Sequence, residues 1–411
     1  MDNITHSVIG LGTGELLHRS LSRETSDTQQ QTRRALMLFA CWFASNAPDL
    51  DLFLTRLLPS PLGYLLHHRG HTHTVLFALP QALLLLALIW LLWPAARALL
   101  KHSRSARLGL GSSIVLGLGL HLFMDFLNSY GLHPFYPLAS RWFYGDTLFI
   151  IEPLLWVAFG VPVVMALRSR VLKAAILAGL LAALCFFVFK DFLAWTACAV
   201  LLAIGIGLAL LQHRAGQHGR QALALSFGIG IAFILLQGAA THVGRARLQA
   251  ALQHIDPASH VWDVSMTAFP SNPLCWVFVS AESNQAAATY RLRRGMLSLA
   301  PGILPPAACP AGLADRGPGT VLAPGIVQMT ESNGSLAALR QLQGESCYFD
   351  AWLRFARMPG LDGTVATDAR FSGGLRGNFT SIDVARLQHR ACPVHVPGWE
   401  PPRSDMLRKP Q

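Results

Sequence analysis

The chain has 411 residues, 52% of them hydrophobic and 13% charged, with a formal net charge of +11 and a mean hydropathy of +0.39. A water-facing surface would need roughly a quarter of its residues charged, so the composition excludes a disordered chain and argues against an ordinary soluble enzyme. The basic residues are spread between apolar runs rather than gathered on one soluble face, which argues against nucleic acid as a partner.

In chain order, two short apolar stretches come first, 4–17 and 35–47, of a length that suits partial insertion or shallow packing helices. The N-terminus has no basic n-region and carries Asp2, His6 and Glu15, so no cleavable signal peptide is expected. Six long spans follow, at 74–96, 108–127, 147–167, 171–189, 192–211 and 221–240, each near the ~20 residues that cross a hydrocarbon core as a helix. The loops 97–107, 168–173 and 212–220 hold most of the intervening Arg and Lys and share one side if the spans alternate. That side is expected to be cytoplasmic, which places the C-terminal region outside the cytoplasm.

The predicted architecture is therefore an α-helical polytopic membrane bundle over 1–243, a small β-rich exported domain over 244–392 and a disordered Pro-rich tail over 393–411. Strand-like runs lie at 261–268, 275–280 and 288–292, and a helix is expected at 335–343. Cys41, Cys185 and Cys198 sit in apolar stretches as small core filling, whereas Cys275, Cys309, Cys347 and Cys392 all fall in the exported region. An even number in an oxidising compartment points to disulfides, with all three pairings open.

Ionisable groups at membrane depth are costly and mark function or a paired structural role. Here they form four clusters: Asp2 to His6; Asn46, Asp49 and Asp51 around Pro48; the seven-residue run from His67 to His73; and His121, Asp125 and Asn128 at the end of a span. Histidine with carboxylate is the ligand set of zinc, manganese or iron. His121 and Asp125 are four apart and so share one helix face. Pro48 is expected to stop a helix, with Asp49 and Asp51 on one side of an extended turn. Each signal alone is weak, but all four clusters fall on the same, non-cytoplasmic end of the bundle. Gly10, Gly12 and Gly14 follow no strand and read as helix-packing positions rather than a dinucleotide loop.

Asp-x-x-Thr-His at 2–6, Asn-x-Pro-Asp-x-Asp at 46–51, His-Arg-Gly-x-Thr-His at 68–73 and His-x-x-x-Asp-x-x-Asn-Ser-Tyr-Gly at 121–131 together resemble the bacterial inner-membrane metal-dependent hydrolases of the YdjM type. The resemblance covers about the first 160 residues. It implies a further aspartate at Asp146 and an acidic-Pro pair at Glu152 and Pro153, where the family has aspartate, so Glu152 is a departure. His67 and His71 lie outside its pattern and are not expected as ligands.

The expected site has His6, Asp49, Asp51, His68, His73, His121 and Asp125 as ligands to one or two divalent ions, zinc first among them. Asp146 or Glu152 is the expected general base or orienting group, and Arg69 the expected holder of a phosphate oxygen. The reading is hydrolysis of an ester or phosphoester by activated water, with membrane lipids or a lipid-linked substrate as partner on the ground of location. A transporter is the main alternative and predicts ionisable residues through the depth of several spans, whereas those from 147 onward hold only Glu152 near one end. A scaffold with a purely structural metal is the third reading.

Overall fold

The computed structural model describes residues 1–314, 317–371 and 377–408. Ten α-helices come before the first strand among the described residues: α1 (Asn3–Ser20), α2 (Asp27–Ala44), α3 (Leu62–His67), α4 (Val75–Leu92), α5 (Pro94–His102), α6 (Arg104–Phe126), α7 (Pro153–Met165), α8 (Arg170–Phe189), α9 (Trp195–Ala215) and α10 (Gln221–Ile255). The chain divides into two compact units that interleave in sequence, one of residues 1–50, 72–128 and 149–235, the other of 51–71, 129–148 and 236–411. The expected single boundary at 243/244 falls inside α10, which runs unbroken for 35 residues past Arg245 and Arg247.

Helices α4, α6, α8 and α9 of the first unit, and α10, which the two units share, are long and apolar enough to cross a membrane. Helix α4 buries only Leu85 and Ile89 and leaves Leu76, Leu79, Leu83, Leu84, Leu91 and Leu92 outward. So continuous an apolar surface belongs in lipid. The expected span 147–167 is instead the 13-residue α7. Its helix starts only at Pro153, with Glu152 as the cap, because proline is suited to the first helical turn and the residue before it is pushed to extended geometry. Nine of its apolar side chains, from Leu154 to Val164, are buried, so it is an inner helix of the unit. Both N-terminal helices are longer than expected, 18 residues each.

Small residues set how closely α1, α2 and α6 approach. A Cβ on Gly10 would lie 2.1 Å from Ser45 Oγ, one on Gly14 2.8 Å from the Met37 carbonyl oxygen, and one on Gly117 2.8 Å from that of Cys41. Backbone contact of this kind is how apolar helices associate where no water drives them together. The packing reading of Gly10 and Gly14 therefore holds.

The second unit is sheet-rich. Strands β1 (His260–Phe269), β2 (Asn272–Asn284), β3 (Thr289–Ser298), β4 (Thr320–Ala323) and β5 (Ile326–Ser335) form an antiparallel sheet in the order β1-β2-β3-β5-β4. A second sheet pairs β6 (Pro359–Asp362), β7 (Val365–Asp368) and β8 (Ile382–Asp383) in sequence order. Helix α11 (Leu336–Glu345) starts at a Ser335 cap, close to its expected place. Helices α12 (Cys347–Leu353), α13 (Val384–Leu387) and α14 (Ser404–Leu407) complete the unit. Disulfides join Cys275 to Cys309 and Cys347 to Cys392. Residues 393–408 are not the expected disordered tail. Trp399 is buried and donates from Nε1 to the Leu66 carbonyl at 2.8 Å, while Met406 and Leu407 enter the same core. Large apolar groups within a Pro-rich stretch were enough to fix it; residues 409–411 of the expected tail lie outside the described residues.

Candidate metal centre

The N-terminal motif is a helix cap with a purpose. Asp2 accepts from the amides of Ile4 at 2.9 Å and Thr5 at 3.0 Å, satisfying the open end of α1. Thr5 Oγ1 also donates to Asp2 and accepts from Trp156 Nε1 at 2.8 Å. This fixes the first turn of α1 and with it His6. Asn46 holds the end of α2, its Oδ1 accepting from Ser7 and its Nδ2 donating to the Trp42 carbonyl.

Beyond α2 the chain enters a 3-10 helix, Ala47–Leu57, not the expected extended turn. Asp49 joins His73, His121 and Asp125, whose ligand atoms all lie within 4.8 Å of one another. Asp51 accepts from His68 Nδ1 at 3.0 Å and the Arg69 amide at 2.9 Å.

Each member of the cluster comes from a defined element. His73 ends a short 3-10 turn just before Thr74, which caps α4. His121 and Asp125 project together from α6, with Nε2 of His121 3.5 Å from Oδ2 of Asp125. His73 Nε2 lies 3.0 Å from His121 Nε2, 3.2 Å from Asp125 Oδ2 and 3.3 Å from Asp49 Oδ1, and His121 Nε2 lies 3.7 Å from Asp49 Oδ1. His6 stacks on His121 with ring centroids 3.9 Å apart and places Nε2 3.2 Å from Asp125 Oδ1, an oxygen that also meets the Met1 amino group. His6, His73, His121 and Asp125 are 0% exposed and Asp49 is 6% exposed.

The donor set fits a divalent cation. A tetrahedral ion with ligands at about 2.0–2.1 Å has ligand-to-ligand edges of roughly 3.3–3.4 Å, and the separations here straddle that value. The proton positions agree. His121 Nδ1 donates to the Ser45 carbonyl at 2.8 Å, which in a neutral imidazole leaves the Nε2 lone pair facing the cluster. Two carboxylates this deeply buried call for positive charge beside them.

His68 and Arg69 belong to the second unit, where Arg69 is buried, adopts φ 58° and sets its guanidinium 4.8 Å from the Tyr130 ring centre. Asp146 receives both Nη groups of Arg357, at 2.8 and 2.9 Å, and Nη2 of Arg245 at 2.5 Å. With both oxygens engaged by arginine it is a structural ion-pair partner, and the general-base expectation does not carry over. Burial opposes the charge on neighbouring Asp263, yet Arg357 beside it holds its carboxyl well below the ordinary range. Glu152 is buried and caps α7, Oε1 accepting from the Leu154 amide at 3.1 Å, so the one departure from the family pattern does the work of a helix cap. His71 packs against Tyr136 and Trp399, outside the cluster as expected. Ser45 was missed because a backbone carbonyl leaves no signature in the sequence.

Residues 1–196 match the family model described as YdjM inner membrane protein. Among curated proteins, the uncharacterized protein YfhP of Bacillus subtilis (strain 168) is 27% identical over 158 residues, which is 38% of this chain and 44% of that one. The chain thus spans less than half the length of that relative. No solved structure matches.

Proposed function

Since residues 1–196 belong to the YdjM inner membrane protein family, we propose that this multi-pass membrane protein is a metal-dependent hydrolase of the bacterial inner membrane. The observation that carries the reading is the buried Asp49, His73, His121 and Asp125 cluster with the His121 tautomer set by Ser45. These four residues would hold a divalent ion, zinc by donor type. When bound, such an ion supplies Lewis acidity and makes water a stronger acid. His6 is the chain's own group for moving a proton, with Nε2 against Asp125 Oδ1 and its ring on that of His121. Asp51 orients His68 and the Arg69 backbone.

The substrate class is an ester or phosphoester, lipid-linked by reason of the site's place among membrane helices. The second unit is assigned to the extracytoplasmic side on the strength of its two disulfides and the basic loops.

Burial of the ligands also favours a second reading, a metal that only ties the 3-10 helix after α2, the turn before α4 and α6 together. Turnover of a panel of soluble and lipid phosphoesters by metal-replete protein separates the two. The hydrolase reading expects His6→Gln to keep its metal and lose cleavage. Metal-loaded wild type that cleaves nothing in the panel would leave the structural reading.

A further inference from the structure

At the other end of α1 the first unit has a second polar assembly. Thirteen residues separate His6 from Arg19, ~20 Å along a helix axis. Glu15 is buried and accepts from Arg19 Nε at 2.8 Å and from Arg34 Nε at 2.8 Å. Arg19 Nη1 donates to Gln212 Oε1 at 3.0 Å and to the Gly219 carbonyl, while its buried Nη2 has no acceptor among the described residues. A cavity of about 510 Å³ opens beside this group, lined by Glu15, His18, Arg19, Arg34, Arg168 and His218 among others.

The charge there does not balance. Arg19, Arg34 and Arg168 give three guanidinium groups against the one carboxylate of Glu15. Arg23 and Asp27, also at the rim, pair with each other at 2.8 Å and are largely exposed, so they cancel and contribute little. Arg34 gives only Nε to Glu15, and Arg168 is exposed with no carboxylate partner among the described residues. Guanidinium groups with unused Nη donors match the oxygens of a phosphate. Helix α8 starts at Arg170 and α9 ends at Ala215. The cavity therefore lies where long apolar helices begin and end, at the level of headgroups rather than hydrocarbon.

We propose that this cavity binds a phosphate group, carried either by an anionic phospholipid headgroup or by a free phosphate compound. The site is separate from the metal cluster and does not depend on hydrolase activity.

The test uses the full chain purified in a zwitterionic detergent, with ligand binding read by native mass spectrometry. Phosphatidylglycerol is expected to bind well above phosphatidylcholine, and the Arg34→Gln/Arg168→Gln double variant to lose about tenfold in affinity. Arg104→Gln, in another basic segment, should bind as wild type does. Inorganic phosphate that displaces the lipid at millimolar levels supports the site and assigns it to soluble phosphate. Phosphatidylglycerol binding that phosphate does not disturb supports it and assigns it to lipid. Should the double variant fail to fold, Arg168→Gln alone, at an exposed position, is expected to lose about threefold. Equal binding of the two lipids, or unchanged affinity in the folded variants, would overturn the proposal.

Discussion

His121 on α6 donates from Nδ1 to the carbonyl oxygen of Ser45, the residue that ends α2, at 2.8 Å. The contact exists because Gly117, one turn earlier on α6, lets the two backbones touch. A Cβ there would lie 2.7 Å from that of Ala44 and 2.8 Å from the Cys41 carbonyl oxygen. Helix packing thereby sets which nitrogen of His121 faces Asp49, His73 and Asp125.

A first prediction follows from this without touching a ligand. Gly117→Val must push α6 away from α2 and separate His121 from Ser45. Bound metal is expected to fall by about tenfold or more, the usual cost of losing a group that orients a ligand. Metal affinity equal to wild type in a folded Gly117→Val protein would show that this packing does not position the site.

Asp146→Asn tests the reassignment of Asp146. It leaves Arg357 buried beside Asp263 with one carboxylate fewer, and is expected to destabilise the second unit by about 3 kcal/mol. Metal content should stay at the wild-type level. Unaltered thermal stability together with abolished turnover would restore Asp146 as a catalytic group.

The disulfides close separations of 34 and 45 residues, and chain entropy gives each a stabilisation of about 4 kcal/mol. Protein isolated from cells should contain both pairs by peptide mapping, and reporter fusions after Gly295 should behave as exported while those after Gly216 behave as cytoplasmic. Four free thiols, or a cytoplasmic signal at Gly295, would contradict the assigned orientation.

His133 gives the second unit a defined pH response. Burial between Trp142 and Trp399, with ring centroids 3.9 Å away on either side, pushes its imidazole down to about 3. The folded state keeps it neutral while the unfolded chain takes up a proton near 6.5. Stability is therefore complete above that pH and declines as pH falls from 6.5 toward 3. Denaturant midpoints followed by tryptophan fluorescence should drop between pH 6.5 and 5, and less steeply in His133→Phe. Equal slopes would show that His133 is not the source.

The cluster was legible in the sequence where chemistry and local geometry coincide. His121 and Asp125 needed only helical spacing, and Asp49 and His73 stood in ordered motifs of a recognisable family. Asp49 and Asp51 are expected on an extended turn, whereas the chain there is the 3-10 helix Ala47–Leu57, and the i, i+2 spacing alone does not distinguish the two backbones. Asp146 carried the right residue type, but its arginine partners, Arg245 and Arg357, lie 99 and 211 residues away. The order of the tail is hidden for a related reason. Trp399 looks isolated among prolines until the fold supplies Leu66 and His133 as neighbours.

The central claim is that Asp49, His73, His121 and Asp125 hold a divalent ion. Elemental analysis of the detergent-purified chain addresses it directly, comparing wild type with His121→Ala, Asp125→Ala and His71→Ala. The expected result is a stoichiometric divalent metal in wild type and His71→Ala, and a sharp loss in both His121→Ala and Asp125→Ala. The same metal content in all four folded proteins would reduce the cluster to a buried hydrogen-bond network and contradict the account.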